Sequence, residues 1–291
     1  MNIIKKFKVC GTGKRELLKS KGWYPSTETE DTLDKLLKEL SGLECLLISY
    51  SGGIDSTLLA VLAQKAIYDR VKCILFDAPI VPRRAVRDAE EIASKFGLCC
   101  NIMPFTIMEN EEFRKNSPNR CYICKKHSAK MLRDQAEKLG ISNIADGINA
   151  SDLSEYRPGL QASNEDGIIH PFLSLGIQKA EIRQMAQDCG FDFWNKPSAS
   201  CLASRIPYGE EITLEKLQMV ENAENIMHDL GFSNLRVRLH GKIARIELIP
   251  EEFEKAVSIR HRVVEVLQGC GFSYITLDLK GYRSGSMDEV L

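Results

Sequence analysis

A chain of 291 residues, 44% hydrophobic and 27% charged, has a globular composition and the length of one large domain or two ordinary ones. Its 39 basic and 40 acidic residues leave a net charge of −1, with a small positive excess up to Arg205 and a small negative one after it. Neither part is a polycation built to adhere to nucleic acid, and no apolar run approaches the roughly 20 residues of a membrane span.

In chain order, residues 1–30 are polar and irregular and are read as an N-terminal extension. The basic stretch 1–21 lacks the continuous apolar core of a secretory signal, so a cytoplasmic location is expected. An amphipathic helix follows, with Leu33, Leu36, Leu37 and Leu40 on one face. A strand over 45–50 leads through a glycine-bearing turn into a helix over 56–66. A second strand is predicted over 71–77 and a helix over 83–96, where Ala85, Ala89, Ile92, Ala93 and Phe96 recur at helical spacing until Gly97. Further strands are expected at 99–103 and 143–146, a helix of about 15 residues before Gly140, and a helix over 179–189 stopped by Gly190. Strands alternating with helices predict a doubly wound parallel α/β sheet, which binds ligands at the carboxyl ends of its strands. From Ile206 the pattern becomes α+β: a helix over 213–230 capped by Thr213, strands over 235–239 and 243–249, a helix over 250–268 and a strand over 274–279. The expected division is 1–30, 31–205 and 206–291.

Two segments carry chemistry. In Ser51-Gly52-Gly53-Ile54-Asp55-Ser56, paired glycines between strand and helix permit a turn whose amides form an anion nest, backed by the helix N-terminus. Asp55 would hold magnesium or cap the helix, and an ordinary strand-to-helix turn is the plainer alternative. No Walker-type Lys-Ser/Thr accompanies these glycines, and Gly11-Thr12-Gly13-Lys14 follows no strand. The second segment is Cys121-Tyr122-Ile123-Cys124, at the start of a helix, joined by Cys201 in a small-residue loop where Arg205 would favour its thiolate. Three thiolates suit zinc with His127 as fourth ligand, a [4Fe–4S] cluster with one open iron, or no metal at all, as a redox pair and a separate cysteine. Cys45, Cys73, Cys99, Cys189 and Cys270 read as small packing hydrophobes. Arg236 and Arg238 alternate along a strand and so share a face that would grip a phosphate, or simply be solvated. Glu224, Arg245 and Arg283 are weaker candidates, with an anion-holding loop at 281–287. Asp152, Glu155 and Arg157 follow the strand that ends near Gly147. His170 and His240 are expected to be structural.

SGGIDST (51–57), RCYICKK (120–126), ADGINASD (145–152), EYRPG (155–159), KPSASCLASRIPYGEEIT (196–213), RVRLHGKIARIE (236–247) and YITLDLKGYRSGSMDE (274–289) occur in one order. On these blocks the chain resembles the LarE family of ATP-dependent sulfur transferases, within the PP-loop ATP pyrophosphatases. The resemblance implies an adenine nucleotide alpha hydrolase-like domain and a smaller C-terminal α+β domain for substrate binding and oligomerisation. Family members activate a pyridinium biscarboxylate mononucleotide with ATP and insert sulfur, in nickel-pincer cofactor synthesis. One form of the family sacrifices a lone cysteine at the position of Cys201; the other holds a sulfide-loaded [4Fe–4S] cluster on three. Cys121, Cys124 and Cys201 together resemble the cluster form. On this reading ATP and Mg2+ sit over Ser51, Gly52, Gly53, Asp55 and Ser56, with adenine near Phe76, Asp77 and Gly147. A mononucleotide-like carboxylate substrate meets Arg236, Arg238, Glu224 and Arg205, a separate sulfide source reloads the cluster, and a homo-oligomer is expected. The alternatives are a cluster-dependent tRNA thiolase, disfavoured by the acidic C-terminal part, an amide-forming synthetase, for which no glutaminase segment is visible, and an ATP-binding iron–sulfur sensor or carrier.

Overall fold

The computed structural model describes residues 27–154, 158–197, 200–283, 285–287 and 289. Most of the extension 1–30, together with Glu155, Arg157 and Ser284, lies outside them. Four strands, β1 (Leu46–Tyr50), β2 (Val71–Asp77), β3 (Cys100–Pro104) and β4 (Ile144–Ala145), form a wholly parallel sheet in the order β3-β2-β1-β4. Its helices are α1 (Thr27–Ser41), α2 (Ile54–Ile67), α3 (Arg83–Phe96), α4 (Arg120–Leu139), α5 (Pro158–Glu165) and α6 (Lys179–Asp188).

The period-two alternation of β1 decides which helix covers which face. Leu46, Ile48 and Tyr50 join the core built with α1, α2, α3 and α6, through Leu33, Leu36, Leu58, Leu62, Ala89 and Ile182. Leu47 points the other way, with Ile74, into the core that α4 covers through Ala129, Leu132 and Ala136. Helix α2 is apolar nearly all round and, Asp55 apart, buried from Ile54 to Ala63, as a helix between layers must be. The expected doubly wound α/β class is the observed one.

Three predicted elements differ in extent. The strand expected at 143–146 keeps only two residues, because Asp146 turns its carboxylate to Lys125 and His170 while Gly147 closes on the start of α2. The helix before Gly140 has 20 residues, since the Cys-x-x-Cys segment forms its beginning. The helix expected over 250–268 is broken into a turn at Pro250–Glu252, a helix Phe253–Ser258 and α8 below. Among the cysteines read as packing residues, Cys73 and Cys189 are buried, but Cys99 is exposed, with Lys72 Nζ donating to its Sγ at 3.1 Å. It sits just before β3, where the chain has not yet entered the sheet.

After Thr213, whose hydroxyl accepts the Lys216 N–H, come α7 (Leu214–Asp229), β5 (Leu235–His240), β6 (Ile243–Leu248), α8 (Arg260–Gly269) and β7 (Tyr274–Leu277). Strands β5 and β6 pair antiparallel, and β6 pairs parallel with β7. Ala78, Ile80, Phe105, Ile107 and Phe113 of the first part share a core with Leu235, Val237, Leu239 and Leu248 of the second. Asn116 Nδ2 donates to the carbonyls of Ile206 and Pro207, at 3.2 and 2.8 Å. The chain therefore crosses position 205 through a packed junction. No helix among the described residues is long and apolar enough to cross a membrane.

Candidate functional site

Strand order reverses between β1 and β4, and a parallel sheet opens a crevice for ligands beyond the carboxyl ends of such a pair. The glycine loop leaves β1 there. Gly52 has φ +69°, and a Cβ on it would lie 2.3 Å from that of Ala89, so both backbone conformation and space demand glycine. Ser51 and Ser56 tie the loop together, Oγ to Oγ at 3.0 Å, and the Ser51 N–H donates to Ser56 Oγ at 3.2 Å. Gly53 caps α2 with no side-chain hydrogen bond, which leaves first-turn N–H groups open to an anion. From the neighbouring strand end, Gly147 approaches so closely that a Cβ would lie 2.8 Å from the Ser56 nitrogen. The Phe76 ring, at the carboxyl end of β2, packs on Phe105 at 4.8 Å, and Asp77 is ion-paired with Arg83.

Two carboxylates bracket this crevice in opposite states. Asp55, in the first turn of α2, gives Oδ2 to Lys179 Nζ, while its Oδ1 is buried without a hydrogen-bond partner. Burial pushes its carboxyl above the usual range, and Lys179 only partly offsets that. A buried, unpaired carboxylate oxygen beside an anion cradle fits a hard divalent cation such as Mg2+. Asp146 is fully engaged: Lys125 Nζ at 2.8 Å, His170 Nδ1 at 2.6 Å, and the Ile148 N–H at 3.2 Å. Burial alone would raise its pKa, but Lys125 and His170 outweigh that and pull it down to about 2. His170 Nε2 lies 3.0 Å from Asn164 Oδ1, a structural placement for this ring. Asp152 accepts the Asn149 N–H at 3.0 Å and orders the loop after β4.

Lys125 links this network to the cysteines. Cys121 and Cys124 occupy the first two turns of α4, immediately before it. Cys201 precedes a short turn, Leu202–Arg205, anchored where the Leu202 N–H reaches the Ile80 carbonyl at 2.8 Å. The three thiols are near enough to feel one another. Burial pushes both Cys124 and Cys201 up; Cys201 and Cys121 add to the rise at Cys124, and Arg120 and Arg205 oppose it at Cys201. Among the described residues, no three His, Cys, Asp or Glu side chains are gathered closely enough to hold one metal ion. A single tetrahedral zinc would draw its thiolates to within about 4 Å of each other, whereas a cluster spreads its ligands over separate irons. His127 is occupied elsewhere, against Thr106 Oγ1 at 3.2 Å and the Phe105 ring at 5.4 Å. The donor chemistry, three soft thiols, is compatible with zinc or with an iron–sulfur group, either of which would displace their protons.

The C-terminal arginines are heavily engaged. Arg205, 2% exposed, makes a two-pronged pair with Glu224 at 2.9 and 2.9 Å, and also donates to Ser200 and to the Cys201 carbonyl. Glu224 accepts the Val237 N–H as well, at 3.0 Å, and Arg205 holds its carboxyl low against the cost of burial. Arg238 is buried on Glu247 at 2.8 Å and the Ser204 carbonyl at 3.0 Å. Arg245 shares Glu247, and Arg283 is paired with Asp278 and Glu289. Arg236 lies 5.0 Å over the Tyr282 ring, near Arg205 and Glu224. His240 is half-buried, and its pKa is lowered mainly by burial and then by Arg245. Lys125, Asp146 and Lys179 escaped sequence reasoning. The only signal for them was a lysine beside Cys124, and charged residues at a strand end and a helix start.

The NAD synthase family model matches residues 26–138, which include the glycine loop and the Cys-x-x-Cys segment. An uncharacterised protein of Synechocystis sp. is 40% identical over 264 residues, covering 90% of this chain and 98% of its own length. Pyridinium-3,5-bisthiocarboxylic acid mononucleotide synthase of Lactiplantibacillus plantarum is 33% identical over 257 residues, covering 88% of this chain and 93% of that enzyme. An uncharacterised protein of Methanocaldococcus jannaschii is 31% identical over 248 residues, 85% of this chain and 94% of its own.

Proposed function

The chain belongs to the LarE family of ATP-dependent sulfur transferases, and from that premise we propose that it thiolates a mononucleotide-like carboxylic acid in two steps, with sulfur held at Cys121, Cys124 and Cys201. A substrate carboxylate oxygen attacks the α-phosphorus of ATP; the bond to the β-phosphate oxygen breaks and pyrophosphate leaves. Sulfur then attacks the acyl carbon of the acyl-adenylate, the bond to AMP breaks, and a thiocarboxylate remains. Both nucleophiles arrive already anionic, so neither step calls for a dedicated general base.

The residues divide the work. Ser51, Gly52, Gly53 and Ser56 would bind the triphosphate, and Gly147 lets the end of β4 close against them. When bound at Asp55, Mg2+ would supply charge neutralisation to the departing pyrophosphate. A [4Fe–4S] cluster held by three thiolates would supply the sulfur through the iron that lacks a protein ligand. Arg236 is the proposed substrate-phosphate contact. Arg205, Glu224 and Arg238 would stand behind it, and Arg205 would also fix the backbone that carries Cys201.

One observation carries this reading: Lys125, the chain neighbour of Cys124, is bonded to Asp146, and Gly147, the chain neighbour of Asp146, closes on Asp55 and Ser56. It supports activation and sulfur delivery in one crevice. A cytoplasmic setting, a separate sulfide source and a homo-oligomer complete the proposal. Oxygen-free protein analysed for metal and acid-labile sulfide tests it, with about four irons per chain expected. Cys124→Ala should lose the iron and keep ATP binding, and pyrophosphate release should require a carboxylate substrate. Stoichiometric zinc, or sulfur transfer by Cys124→Ala, overturns the cluster.

A further inference from the structure

Lys179 is placed where its own helix gains nothing from it. It is the first residue of α6, and a cation there opposes the partial positive charge of the helix N-terminus. The helix start is already complete without the ammonium: Gln178 and Glu181 form a reciprocal capping box, and the Lys179 N–H is bonded to Ser151 Oγ at 3.0 Å. The backbone is thus held while the four-carbon stem is left to reach across 124 positions of sequence to Asp55. That carboxylate is the one beside the glycine loop whose second oxygen is buried and unpaired. The two side chains are 32% and 24% exposed, so an incoming ligand can reach the pair from solvent.

We propose that Lys179 is a place-holding counter-ion: in the nucleotide-free protein it neutralises Asp55, and when the triphosphate arrives it transfers to the pyrophosphate oxygens and frees Asp55 for the divalent cation. Electrostatics favours the exchange in both directions. Without nucleotide, Asp55 would be a half-buried carboxylate lacking any partner, which is costly. With nucleotide, an ammonium and a divalent cation on one carboxylate would repel each other, and the triphosphate offers the displaced ammonium new anionic oxygens. A lysine suits the task because its compact charge rotates freely on a flexible stem, unlike a planar arginine fork committed to two bonds. This rests on the reading that residues 51–56 bind ATP, and it adds a residue that the family resemblance did not supply.

The test uses the full-length, nucleotide-free protein with Mn2+ as the paramagnetic probe, its binding followed by electron spin resonance. Lys179→Met and Lys179→Gln should bind Mn2+ about tenfold more tightly than the unmodified chain, because a competing cation has gone. Lys179→Arg should bind as the unmodified chain does, and adding Asp55→Asn to Lys179→Met should abolish the gain. With ATP and the carboxylate substrate, Lys179→Met should lose about a hundredfold in kcat for pyrophosphate release. A lysine that only paired with Asp55 would also raise metal affinity on removal, so the transfer itself is read from inorganic pyrophosphate, which Lys179→Met should bind about tenfold more weakly than the unmodified chain and a merely structural lysine would leave unchanged. Unchanged or weaker Mn2+ binding in neutral variants that melt with the unmodified protein overturns the proposal. Mn2+ binding tests the pairing with Asp55 and pyrophosphate binding tests the transfer; since neither needs turnover, both can be read even if no carboxylate proves to be a substrate, and unchanged pyrophosphate affinity in Lys179→Met overturns the transfer.

Discussion

The two sheets of this protein handle charge in opposite ways. At the carboxyl ends of the parallel strands β1 and β4, the backbone is arranged around glycines, first-turn N–H groups are left open, and one oxygen of Asp55 is buried without a partner. In the C-terminal sheet the charges are more numerous but closed on each other: Arg205 with Glu224, and Arg238 and Arg245 with Glu247. The first arrangement leaves hydrogen-bonding capacity open on the backbone and on one carboxylate oxygen. The second pairs its carboxylates and guanidinium groups with each other, although the buried Nε atoms of Arg238 and Arg245 have no hydrogen-bond partner. A dense group of arginines is therefore a weaker sign of a binding site than a sparse cradle with unmet hydrogen-bonding capacity.

The largest effect expected from this contrast is on Arg205→Met. Removing one member of a buried, two-pronged pair strands Glu224 in the interior, at a cost of about 3–5 kcal/mol, and frees the 200–204 segment that carries Cys201. Chemical denaturation should read the loss directly. A variant of unchanged stability that fails only in substrate affinity would break the comparison, because Arg205 would then be a ligand contact and not part of a closed frame.

How far the sequence carried this distinction depends on range. The glycine loop was legible because its cause is local: two glycines between an apolar strand and a helix have few other uses, and Gly52 is sterically required. The parallel class was legible from the alternation of strands with helices. Pairings between distant residues were not. Nothing near Lys179 announces Asp55, and nothing near Lys125 announces Asp146, since each pair is made by the fold. Strand alternation put Arg236 and Arg238 on one face, but the period of two is silent about which carboxylate a neighbouring strand supplies, so the engagement of Arg238 by Glu247 was hidden. The change of local pattern at 205/206 was legible, whereas the core shared by Ile80, Phe113 and Leu235 across it is a long-range fact that no local pattern announces.

Gly52→Ala sharpens the other side of the contrast. The new methyl would meet the Ala89 Cβ at 2.3 Å and its Cα at 2.6 Å, and the residue would still have to adopt φ +69°. Overpacking and left-handed strain together should cost about 2–4 kcal/mol. ATP binding, measured by calorimetry at a temperature where the variant remains folded, should weaken more than ten times as loop and helix separate. Adding Ala89→Gly removes the 2.3 Å contact but leaves the 2.6 Å approach to the Cα of residue 89 and the left-handed strain, so it should recover only part of the stability. Recovery of stability without recovery of ATP binding would show that the amide geometry, and not merely the packing, is what the glycine secures.

Asp146 tests the boundary between the two regimes, because it lies in the crevice yet is closed like the C-terminal pairs. Its folded pKa, about 2, is below the ordinary aspartate value, so the ionised form is favoured by folding. That contribution is fully present above about pH 4 and disappears as pH falls towards 2, where the folded carboxylate takes up its proton; it amounts to about 2 kcal/mol. Asp146→Asn should lose this stability at neutral pH and show a shallower decline of melting temperature between pH 4 and 2 than the unmodified protein. Lys125→Met should flatten the same interval, since Lys125 is the main force that lowers the pKa. If instead both variants keep the full acid dependence, the carboxylate is not held by that pair, and the connection between the cysteines and the glycine loop is interrupted at Asp146.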